Sequence, residues 1–469
     1  MIIMGSPVAE TLQRGIGGSV ITPLDQGYDE ARKLWNADID KRPAAIVQCT
    51  STEDVAAAIG HARENQLEIA IRCGGHSFPG HSMSEGGLVI DLRRMNRVDV
   101  DPQARRVRVQ GGALLRDLDG ATQQHGLAVP SGIIGHTGVG GLTLGGGMGW
   151  LSRRGGLTID RLVGADVATA DGQLLQASES EHPDLFWALR GGGGNFGVVT
   201  SFEFEPIDLA PMVQFGLFFW GAEQGADAHA LLRETVRDLP RSVNAIQLAA
   251  FTAPPAPFVP AEYQLRTGTA MLLVAFDEAA DEHQEITERL RRAVPPLFDF
   301  ITPLPYVALQ QLLDEANKPG SFAYDKGGYF ADIDDGMIEA LTTLGPRKGS
   351  PMSMAAFYRL DGAYCEVAED ATAFSGRRSP CYFSTMLAMT PTPDLLPAER
   401  TWVRELFDAL EPHMLGDGTY VNVLCEADDA RLRRSYGPKY ERLQMIKSRY
   451  DPDNVFHGNA NIRPFARPE

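Results

Sequence analysis

Short runs in which apolar and polar residues alternate occur throughout the first 205 residues of the chain, and alternation is the pattern of half-buried strands. One such run, residues 67–71, has an apolar residue at every second position and ends at two glycines. Apolar residues at helical spacing follow an N-cap and acidic first turn at residues 51–54. The pattern predicts strands over 67–71, 88–92, 106–109, 162–170 and 198–204, a return strand from 174, and helices over 54–66, 114–124 and 183–190.

The composition of the sequence changes near residues 206–211, which indicates a domain boundary. Glycine becomes less frequent beyond this point, and four prolines crowd one loop between positions 254 and 260. Strand-like and helix-like stretches then predict a separate α+β region over roughly 209–415. Its predicted elements include strands over 270–276 and 382–389 and a helix over 282–294, and a further helical run over 441–449 comes near the end of the chain.

Glycine is unusually frequent, at 49 of 469 residues, against about 7% in ordinary proteins. Gly74 and Gly75 break the first strand, and glycine lets a backbone turn sharply and approach a ligand closely. His76 follows them, so the turn holds its ring against whatever the turn wraps, unless this is a plain surface turn. Residues 138–149 contain seven glycines in twelve positions, which a helix or strand interior tolerates poorly. This segment favours a backbone lying against a flat or anionic ligand, with close packing of two backbones as the alternative.

A third glycine-rich segment, residues 190–197, contains a G-x-G-x-x-G pattern that does not indicate a dinucleotide-binding turn. Gly192, Gly194 and Gly197 satisfy the pattern. That turn requires a strand before it and a helix after it, whereas here a predicted helix precedes and a predicted strand follows. We therefore reject a nicotinamide-dinucleotide domain of the Rossmann type.

Charge and composition exclude several classes of partner. The net charge of −18 argues against nucleic acid and against an anionic membrane surface. No run of about 18 apolar residues is present, so no membrane span is expected. The N-terminus lacks the basic start and apolar core of a secretory signal, which predicts a cytoplasmic protein. The five cysteines are far apart and have no zinc-ligand spacing, so free, buried thiols are expected.

Four motifs, in this order, resemble those of the berberine-bridge-enzyme-like FAD-linked oxidases, part of the vanillyl-alcohol-oxidase superfamily. They read RCGGHS at 72–77, GVGGLTLGGGMG at 138–149, LFWALRGGGGNFGVV at 185–199 and YDPDNVFH at 450–457. The resemblance spans about residues 38–464, and the first half is similar to the bacterial 6-hydroxynicotine oxidases of that family. It implies an α+β fold with three parts. These are a PCMH-type FAD-binding domain of two subdomains over 38–208, an α/β substrate domain with an antiparallel sheet over 209–415, and a C-terminal segment over 416–465 that returns to the FAD domain.

The resemblance implies FAD as the cofactor, with the glycine turns around its pyrophosphate. In the family, the histidine of the Gly-Gly-His turn is bonded to the flavin 8α-methyl carbon, which assigns His76. Many relatives add a second bond from a cysteine. Counting back from Gly138 places Ile134 at that position, so a single covalent link through His76 and no cysteinyl link are expected. His136 is expected beside the flavin ring, where it either binds substrate or packs.

The full set of residues that the resemblance implies for cofactor binding is Arg72, Cys73, Gly74, Gly75, His76, Ser77, Gly80, His136, Thr137, Gly138, Gly141, Leu142, Gly145, Val199, Asn422, Asn459 and Asn461.

The resemblance also implies where the catalytic base lies. In relatives a Glu or Asp precedes a Phe-x-x-Arg element, and counting back from Phe374 places Glu366 there; the alternative is an ordinary exposed strand residue. We predict a strand on which Tyr364 faces the same side as Glu366. Tyr420 and Asn422 are predicted on one face of another strand, where Tyr420 either helps to remove the substrate proton or packs as a half-buried aromatic residue.

These expectations describe an FAD-dependent oxidase that takes a hydride from an alcohol, sugar, amine or natural-product intermediate to covalently bound FAD. A small molecule is the expected substrate and dioxygen the expected electron acceptor. A dehydrogenase with a different acceptor and a flavin-binding protein without turnover are the alternatives. A monomer or small homo-oligomer is expected.

Overall fold

A small sheet forms the N-terminal part of the computed structural model, which describes residues 12–277, 279–426 and 428–465. Its strands are β1 (Ser19–Ile21), β2 (Ala45–Gln48), β3 (Ile69–Arg72) and β4 (Leu88–Asp91), and α1 (Tyr28–Ala31) and α2 (Thr52–Glu64) are two of the helices in this part. Strand β4 lies between β2 and β3 and runs parallel to both, while β1 pairs antiparallel with β2. Strands that run parallel need a crossover connection, and α2 supplies one between β2 and β3, which lie on either side of β4.

The second sheet is antiparallel and has five strands in the order β5-β6-β10-β8-β9. Its strands are β5 (Val98–Asp101), β6 (Arg106–Gln110), β8 (Leu162–Ala168), β9 (Leu174–Ser178) and β10 (Val198–Phe204), and β7 (Leu127–Ala128) pairs separately with β11 (Ile207–Asp208). The helices of this part are α3 (Leu115–Gln123), α4 (Val139–Gly145), α5 (Ser152–Gly155) and α6 (Pro183–Leu189), with a 3₁₀ turn at Thr158–Asp160. The glycine-rich segments therefore connect the elements of this sheet.

The third sheet contains seven antiparallel strands in the order β15-β12-β14-β13-β17-β18-β16. They are β12 (Met212–Gly221), β13 (Val243–Thr252), β14 (Thr267–Ala275), β15 (Phe298–Pro305), β16 (Phe322–Phe330), β17 (Met354–Leu360) and β18 (Cys381–Thr390). The helices are α7 (Gly225–Arg237), α8 (Ala280–Ala293), α9 (Tyr306–Gln310), α10 (Asp335–Leu344) and α11 (Leu396–Leu410). Shorter 3₁₀ turns lie at Ala222–Gln224, Ala261–Tyr263, Glu315–Asn317, Gly345–Arg347, Gly362–Glu366, Pro393–Leu395 and Glu411–His413.

The two faces of the seven-stranded sheet pack against different partners. On one face, Leu232 of α7 and Trp402 of α11 help to form the largest buried apolar cluster. On the other face, Phe219 and Ile246 of the sheet pack with Trp150 from the N-terminal half of the chain. This second face therefore covers the N-terminal half, where the glycine turns lie.

The C-terminal residues return to the second sheet. They form a 3₁₀ turn at Val421–Val423 and the helices α12 (Asp429–Tyr436) and α13 (Lys439–Tyr450), whose buried side chains join the core of that sheet. The buried Lys447 ammonium donates to the carbonyls of Asn195 and Phe456 and to Asp451 Oδ2, over 2.8, 2.9 and 2.6 Å. All three of its hydrogens are thus used to close this segment on the glycine-rich loop. None of the helices in the described residues is long and apolar enough to cross a membrane.

The predicted α+β class is confirmed, and the strands and helices predicted for the first half match observed elements to within a few residues. The rejection of a Rossmann turn is also supported, because α6 precedes the G-x-G-x-x-G pattern and β10 follows it. One expectation was too strict: residues 139–145 form a helix in spite of their glycines. The helix ends at Gly146 and Gly147, which take φ of 144° and 80°. A residue with a side chain would be strained at these values, so the glycines here serve to end the helix.

Candidate active site

Two glycine turns touch each other at the centre of the molecule. A Cβ atom added to Gly74 would collide with Gly138 N, and one added to Gly138 would collide with Cys73 Sγ and Gly74 N. Close packing of two backbones thus explains these glycines. The explanation does not extend to Gly141 of α4, where an added Cβ would have no neighbour within 4 Å in the described part of the chain. The segment therefore has one packed side and one open side.

Unpaired polar groups lie on the His76 turn and in the C-terminal segment. The backbone N–H groups of Gly75, His76 and Ser77 have no hydrogen-bond partner within the described residues. The side-chain oxygens of Asn459 and Asn461 are buried and also unpaired in the described part of the chain. Buried polar groups are normally hydrogen-bonded, so these donors and acceptors indicate a place that a polar ligand completes.

His76 is held between two aromatic rings. Trp35 stacks on it with ring centroids 5.1 Å apart, and the His136 ring lies 4.7 Å away on centroids. His76 Nε2 is 2.6 Å from His136 Nδ1, a hydrogen-bond distance. Burial, and then the charge of His136, lower the pKa of His76 to about 3. His76 is therefore a neutral imidazole at neutral pH.

Residues that the sequence did not single out fix the His76 turn to the seven-stranded sheet. The Asn36 side chain donates to the carbonyls of Phe78 and Ala323 over 2.8 and 3.0 Å. Trp35 Nε1 donates to the Asn317 carbonyl over 2.5 Å. A lone Asn or Trp before the first parallel strand has no motif in the sequence, so only the tertiary contact reveals this role.

Several residues of the predicted cofactor set hold the turn rather than line the opening. The Arg72 guanidinium donates to the carbonyls of Ala31 and Lys33. Cys73 Sγ donates to the Ala113 carbonyl over 3.4 Å, and burial raises the pKa of this thiol to about 11. All five cysteines are free, as expected, although Cys365 and Cys425 are only partly buried.

The other members of the set follow the chain around the glycine turns. Gly80 takes a φ of +76° against Ile39, and Ser77 Oγ accepts a hydrogen bond from His81 N–H at 3.1 Å. Thr137 precedes α4, Leu142 and Gly145 lie in it, Val199 is buried on β10, and Asn459 donates to the Gly194 carbonyl over 2.9 Å.

Tyr420 and Asn422 contact the far end of the glycine segment. Tyr420 Oη accepts hydrogen bonds from Gly147 N–H at 2.8 Å and from Asn422 Nδ2 at 2.7 Å. Asn422 Nδ2 also donates to the Leu142 carbonyl over 3.1 Å. Burial raises the pKa of Tyr420 to about 12, although both donors oppose the shift. Since two donors point at the phenol oxygen, its own O–H is left to point elsewhere.

The predicted strands around Glu366 and Tyr420 are wrong. Tyr364 and Glu366 lie in a 3₁₀ turn, Gly362–Glu366, and Tyr420 precedes another. Tyr364 is buried and donates through its hydroxyl to the Arg377 carbonyl. The Glu366 side chain is 62% exposed and pairs with Arg241. Tyr364 and Glu366 thus do not face one pocket, because a turn with three residues per rotation does not alternate as a strand does.

A buried carboxyl group that the sequence analysis missed lies on β16. Asp325 is 1% exposed; its Oδ1 accepts a hydrogen bond from Thr385 Oγ1 at 2.6 Å, and its Oδ2 has no partner in the described residues. Burial raises the pKa of Asp325 to about 8. A single aspartate within a predicted strand gives no sequence signal, and its burial depends on how β16 pairs with β18.

Alternation along β16 places Asp325 between the two ends of the site. Ala323, Asp325 and Tyr329 share one face of this strand. Ala323 belongs to the apolar cluster of Trp35, and Tyr329 belongs to the cluster of Tyr420. The sheet therefore spans the distance from the His76 turn to Tyr420.

Comparisons with known proteins agree with this geometry. The family described as FAD binding domain matches residues 43–178, and the family described as Berberine and berberine like matches residues 419–463. An FAD-linked oxidoreductase of Dictyostelium discoideum is 31% identical over 455 residues, which cover 96% of this chain and 95% of that protein. The (R)-6-hydroxynicotine oxidase of Paenarthrobacter nicotinovorans is 30% identical over 98% of this chain and 99% of its own.

Solved structures show the same fold over nearly the whole chain. The crystal structure of 6-hydroxy-D-nicotine oxidase from Arthrobacter nicotinovorans matches with a TM-score of 0.86 at 26% identity and covers 99% of this chain and 100% of that one. The BBE-like 1 protein of Physcomitrella patens matches with a TM-score of 0.86 at 22% identity, over 98% of this chain and 100% of that one. The unpaired donors of the His76 turn and the open side of α4 fit FAD. The chain belongs to the berberine-bridge-enzyme-like family of FAD-linked oxidoreductases.

Proposed function

We propose that this FAD-linked oxidoreductase is an oxidase that carries its flavin on one covalent bond, made by His76. The geometry of His76 supports the proposal. Trp35 stacks on the ring, His136 occupies Nε2, and Nδ1 has no hydrogen-bond partner among the residues that the structure describes. This free nitrogen of a neutral, clamped imidazole is the observation that carries the proposal.

The surroundings argue against a second, cysteinyl bond. Ile134, at the position where many relatives have the second attachment, has no atom that could form a thioether. Cys73 is the thiol nearest to His76 in sequence, but it is buried and donates a hydrogen bond to the Ala113 carbonyl. Its raised pKa keeps it protonated at neutral pH. A thiolate is the reactive form of cysteine, so Cys73 is unsuited to attack.

When bound, FAD supplies the hydride acceptor, and the chain must hold the substrate and take its proton. Tyr420 is the residue that we propose for the proton. A negative charge formed on Tyr420 Oη would keep two donors, Gly147 N–H and Asn422 Nδ2. Glu366 was the other candidate, but its carboxylate is exposed and engaged by Arg241. Tyr364 has its hydroxyl bonded to a backbone carbonyl, so we assign it a structural role.

The substrate that we propose is a small alcohol, sugar, amine or natural-product intermediate, with dioxygen as the electron acceptor. Two relatives are named as oxidases of 6-hydroxynicotine and of glucooligosaccharides. The cytoplasmic location, the monomeric or small homo-oligomeric state, and the division at 38–208, 209–415 and 416–465 stay predictions.

The test combines a covalency assay with a reduction assay. The purified protein is precipitated with acid, and the mass and visible spectrum of the pellet are recorded. We expect a yellow pellet heavier by one FAD, with the added mass on the peptide that contains His76. The native protein is then mixed without oxygen with a panel of alcohols, sugars and amines. We expect at least one compound to bleach the flavin, and air to restore its colour with release of hydrogen peroxide.

Three outcomes would contradict the proposal. A colourless pellet above a yellow supernatant would mean non-covalent FAD. Attachment at two residues would mean that Ile134 is not at the cysteine position. A flavin that the panel bleaches but that air does not restore would indicate a dehydrogenase with a different acceptor.

A further inference from the structure

A chain of hydrogen bonds leads from the loop before β16 to the imidazole of His76. His136 Nε2 lies 3.4 Å from the Asp314 carbonyl oxygen, and His136 Nδ1 lies 2.6 Å from His76 Nε2. The neighbouring Gly135 N–H donates to Asp314 Oδ1 over 2.6 Å, which ties the backbone beside His136 to the same loop. Both nitrogens of His136 are therefore occupied by groups of this chain.

This arrangement fixes where the protons lie. A carbonyl oxygen only accepts hydrogen bonds, so the proton between Asp314 and His136 is on His136 Nε2. A neutral imidazole has one protonated nitrogen, which leaves a lone pair on His136 Nδ1. That lone pair accepts from His76 Nε2–H. The remaining nitrogen, His76 Nδ1, then holds a lone pair and has no partner in the described ranges.

We propose that His136 is a positioning residue that sets this tautomer of His76, so that Nδ1 of His76 bonds to the flavin 8α carbon. In the same step His136 Nδ1 receives the proton that leaves His76 Nε2. The inference rests on the proposed covalent flavin, and what it adds is the residue that prepares His76 for bonding.

The attachment balances with dioxygen as the oxidant. One C–H bond of the 8-methyl group and the His76 Nε2–H bond break, and one C–N bond forms at Nδ1. Two electrons and two protons pass to dioxygen and give hydrogen peroxide. Without an acceptor for the Nε2 proton, the alkylated ring would stay cationic. Burial and His136 already lower the pKa of His76 to about 3, so a cation there is strongly disfavoured.

The same contacts argue against the two simpler roles of His136. A histidine that binds substrate needs a free nitrogen, whereas both nitrogens of His136 are engaged. A packing histidine needs no particular tautomer, whereas here the Asp314 carbonyl selects one. Trp35, stacked on His76 with an angle of 18° between the rings, keeps the plane of His76 fixed while His136 holds one edge.

Two variants of His136 and one control test the inference on the full chain. His136→Phe keeps a flat ring but removes both nitrogens. His136→Asn keeps an oxygen that can accept from His76 Nε2–H. His125→Phe makes the same change at an exposed histidine outside the site. Each protein is produced without flavin and incubated with FAD in air, and total and covalent FAD are measured over time.

We expect His136→Phe to bind FAD but to attach it roughly a hundredfold more slowly, the usual effect of losing a general base. His136→Asn should recover part of the rate, and His125→Phe should match the unmodified protein. Attachment by His136→Phe as fast as in the unmodified protein would overturn the inference. Because covalent FAD is expressed as a fraction of bound FAD, a variant that merely folds poorly does not imitate the expected result.

The bonding atom is read from the flavin peptide by NMR. If the bond is at Nδ1, the 8α protons lie near the His76 β protons, because Nδ1 is next to the ring carbon that bears the Cβ methylene group. At Nε2 they lie near both ring C–H protons instead, and that result would overturn the inference. If FAD attaches as expected but no panel compound reduces it, the oxidase proposal fails and this inference stands. If FAD is reduced by substrate but never becomes covalent, the inference fails while the oxidoreductase activity stands.

Discussion

The two ends of the candidate site use the same glycine segment in opposite ways. At the His76 end, Gly138 lets the segment pack against the Gly74 turn, and one nitrogen of the His76 ring has no partner among the residues described. At the Tyr420 end, Gly147 turns its N–H toward a side-chain oxygen, and Asn422 adds a second donor. One end offers a lone pair, whereas the other end gathers donors around an oxygen.

Burial acts at both ends, but the polar neighbours decide what each group can do. It lowers the pKa of His76 to about 3 and raises the pKa of Tyr420 to about 12, so both groups are neutral at neutral pH. A neutral imidazole with a free nitrogen is a nucleophile. A neutral phenol must first give up its own proton before it can act as a base, and the two donors would stabilise the phenolate that results. In our proposal, covalent attachment belongs to the His76 end and proton removal to the Tyr420 end.

The largest expected effect separates these two tasks. Tyr420→Phe removes the hydroxyl but keeps the ring among Phe374 and Phe383. We expect the rate of anaerobic flavin reduction by substrate, measured by stopped flow, to fall by about 10²–10⁴. The covalent fraction of FAD should not change. A rate within about threefold of the unmodified protein would remove Tyr420 from the chemistry.

The second prediction concerns the His76 end, where a substitution should remove attachment rather than flavin reduction. His76→Ala should abolish covalent FAD, so that acid precipitation leaves the pellet colourless. FAD should still bind, because the backbone N–H groups of the turn remain. We expect the rate of flavin reduction to fall only by about tenfold, through looser positioning of the ring. The two variants should therefore lose different properties. Tyr420→Phe should lose rapid flavin reduction, and His76→Ala should lose the covalent bond to FAD. Two results would mean that the two ends are not separate. One is loss of covalent FAD in Tyr420→Phe, and the other is a fall in flavin reduction in His76→Ala as large as that in Tyr420→Phe.

The sequence predicted one end of the site better than the other. The His76 turn was found because the strand, the two glycines and the histidine are consecutive, so one motif contains the whole feature. Tyr420 was found, but its contact with Gly147 joins residues far apart in the chain. The predicted strand at Glu366 failed because alternation over a few residues does not separate a strand from a 3₁₀ turn.

Asp325 and His136 show what tertiary structure adds. Asp325 looks like any polar residue in a strand until the pairing of β16 with β18 buries it beside Thr385. His136 could be placed near the flavin by resemblance, but its partners could not be predicted. One is in the turn at His76 and the other, Asp314, is in a loop of the second half of the chain.

A third prediction concerns the carboxyl group between the two ends. Burial raises the pKa of Asp325 to about 8 in the folded protein, against 3.8 for an ordinary aspartate. The folded state therefore binds more protons than the unfolded state between these values, and stability falls as the pH rises through that window. Asp325 lowers the free energy of unfolding by up to about 1.4 kcal/mol for each pH unit in this window. We expect Asp325→Asn to remove this contribution.

Urea unfolding at pH 7 and pH 8 measures this difference, and comparing the variant with the unmodified protein at each pH cancels the contribution of all other titrating groups. Asp119 is also buried with a pKa of about 8, so the Asp325→Asn variant should retain the part of the slope that Asp119 contributes. Asp119→Asn is the matched variant. Identical slopes for Asp325→Asn and the unmodified protein would mean that Asp325 is ionised in the folded state.

The smallest effect is expected at Glu366, and it bears on the comparison directly. The Glu366 carboxylate and the Arg241 guanidinium are 62% and 53% exposed, and exposed ion pairs contribute about 0–1 kcal/mol. Glu366→Gln should therefore change stability by less than about 1 kcal/mol. It should change the rate of flavin reduction by less than about twofold, whereas loss of a general base costs about 10²-fold or more. Arg241→Gln is the matched control, since it breaks the same pair and leaves the carboxylate. A large loss of rate in Glu366→Gln but not in Arg241→Gln would make Glu366 the base, and Tyr420 would then hold the substrate rather than take its proton.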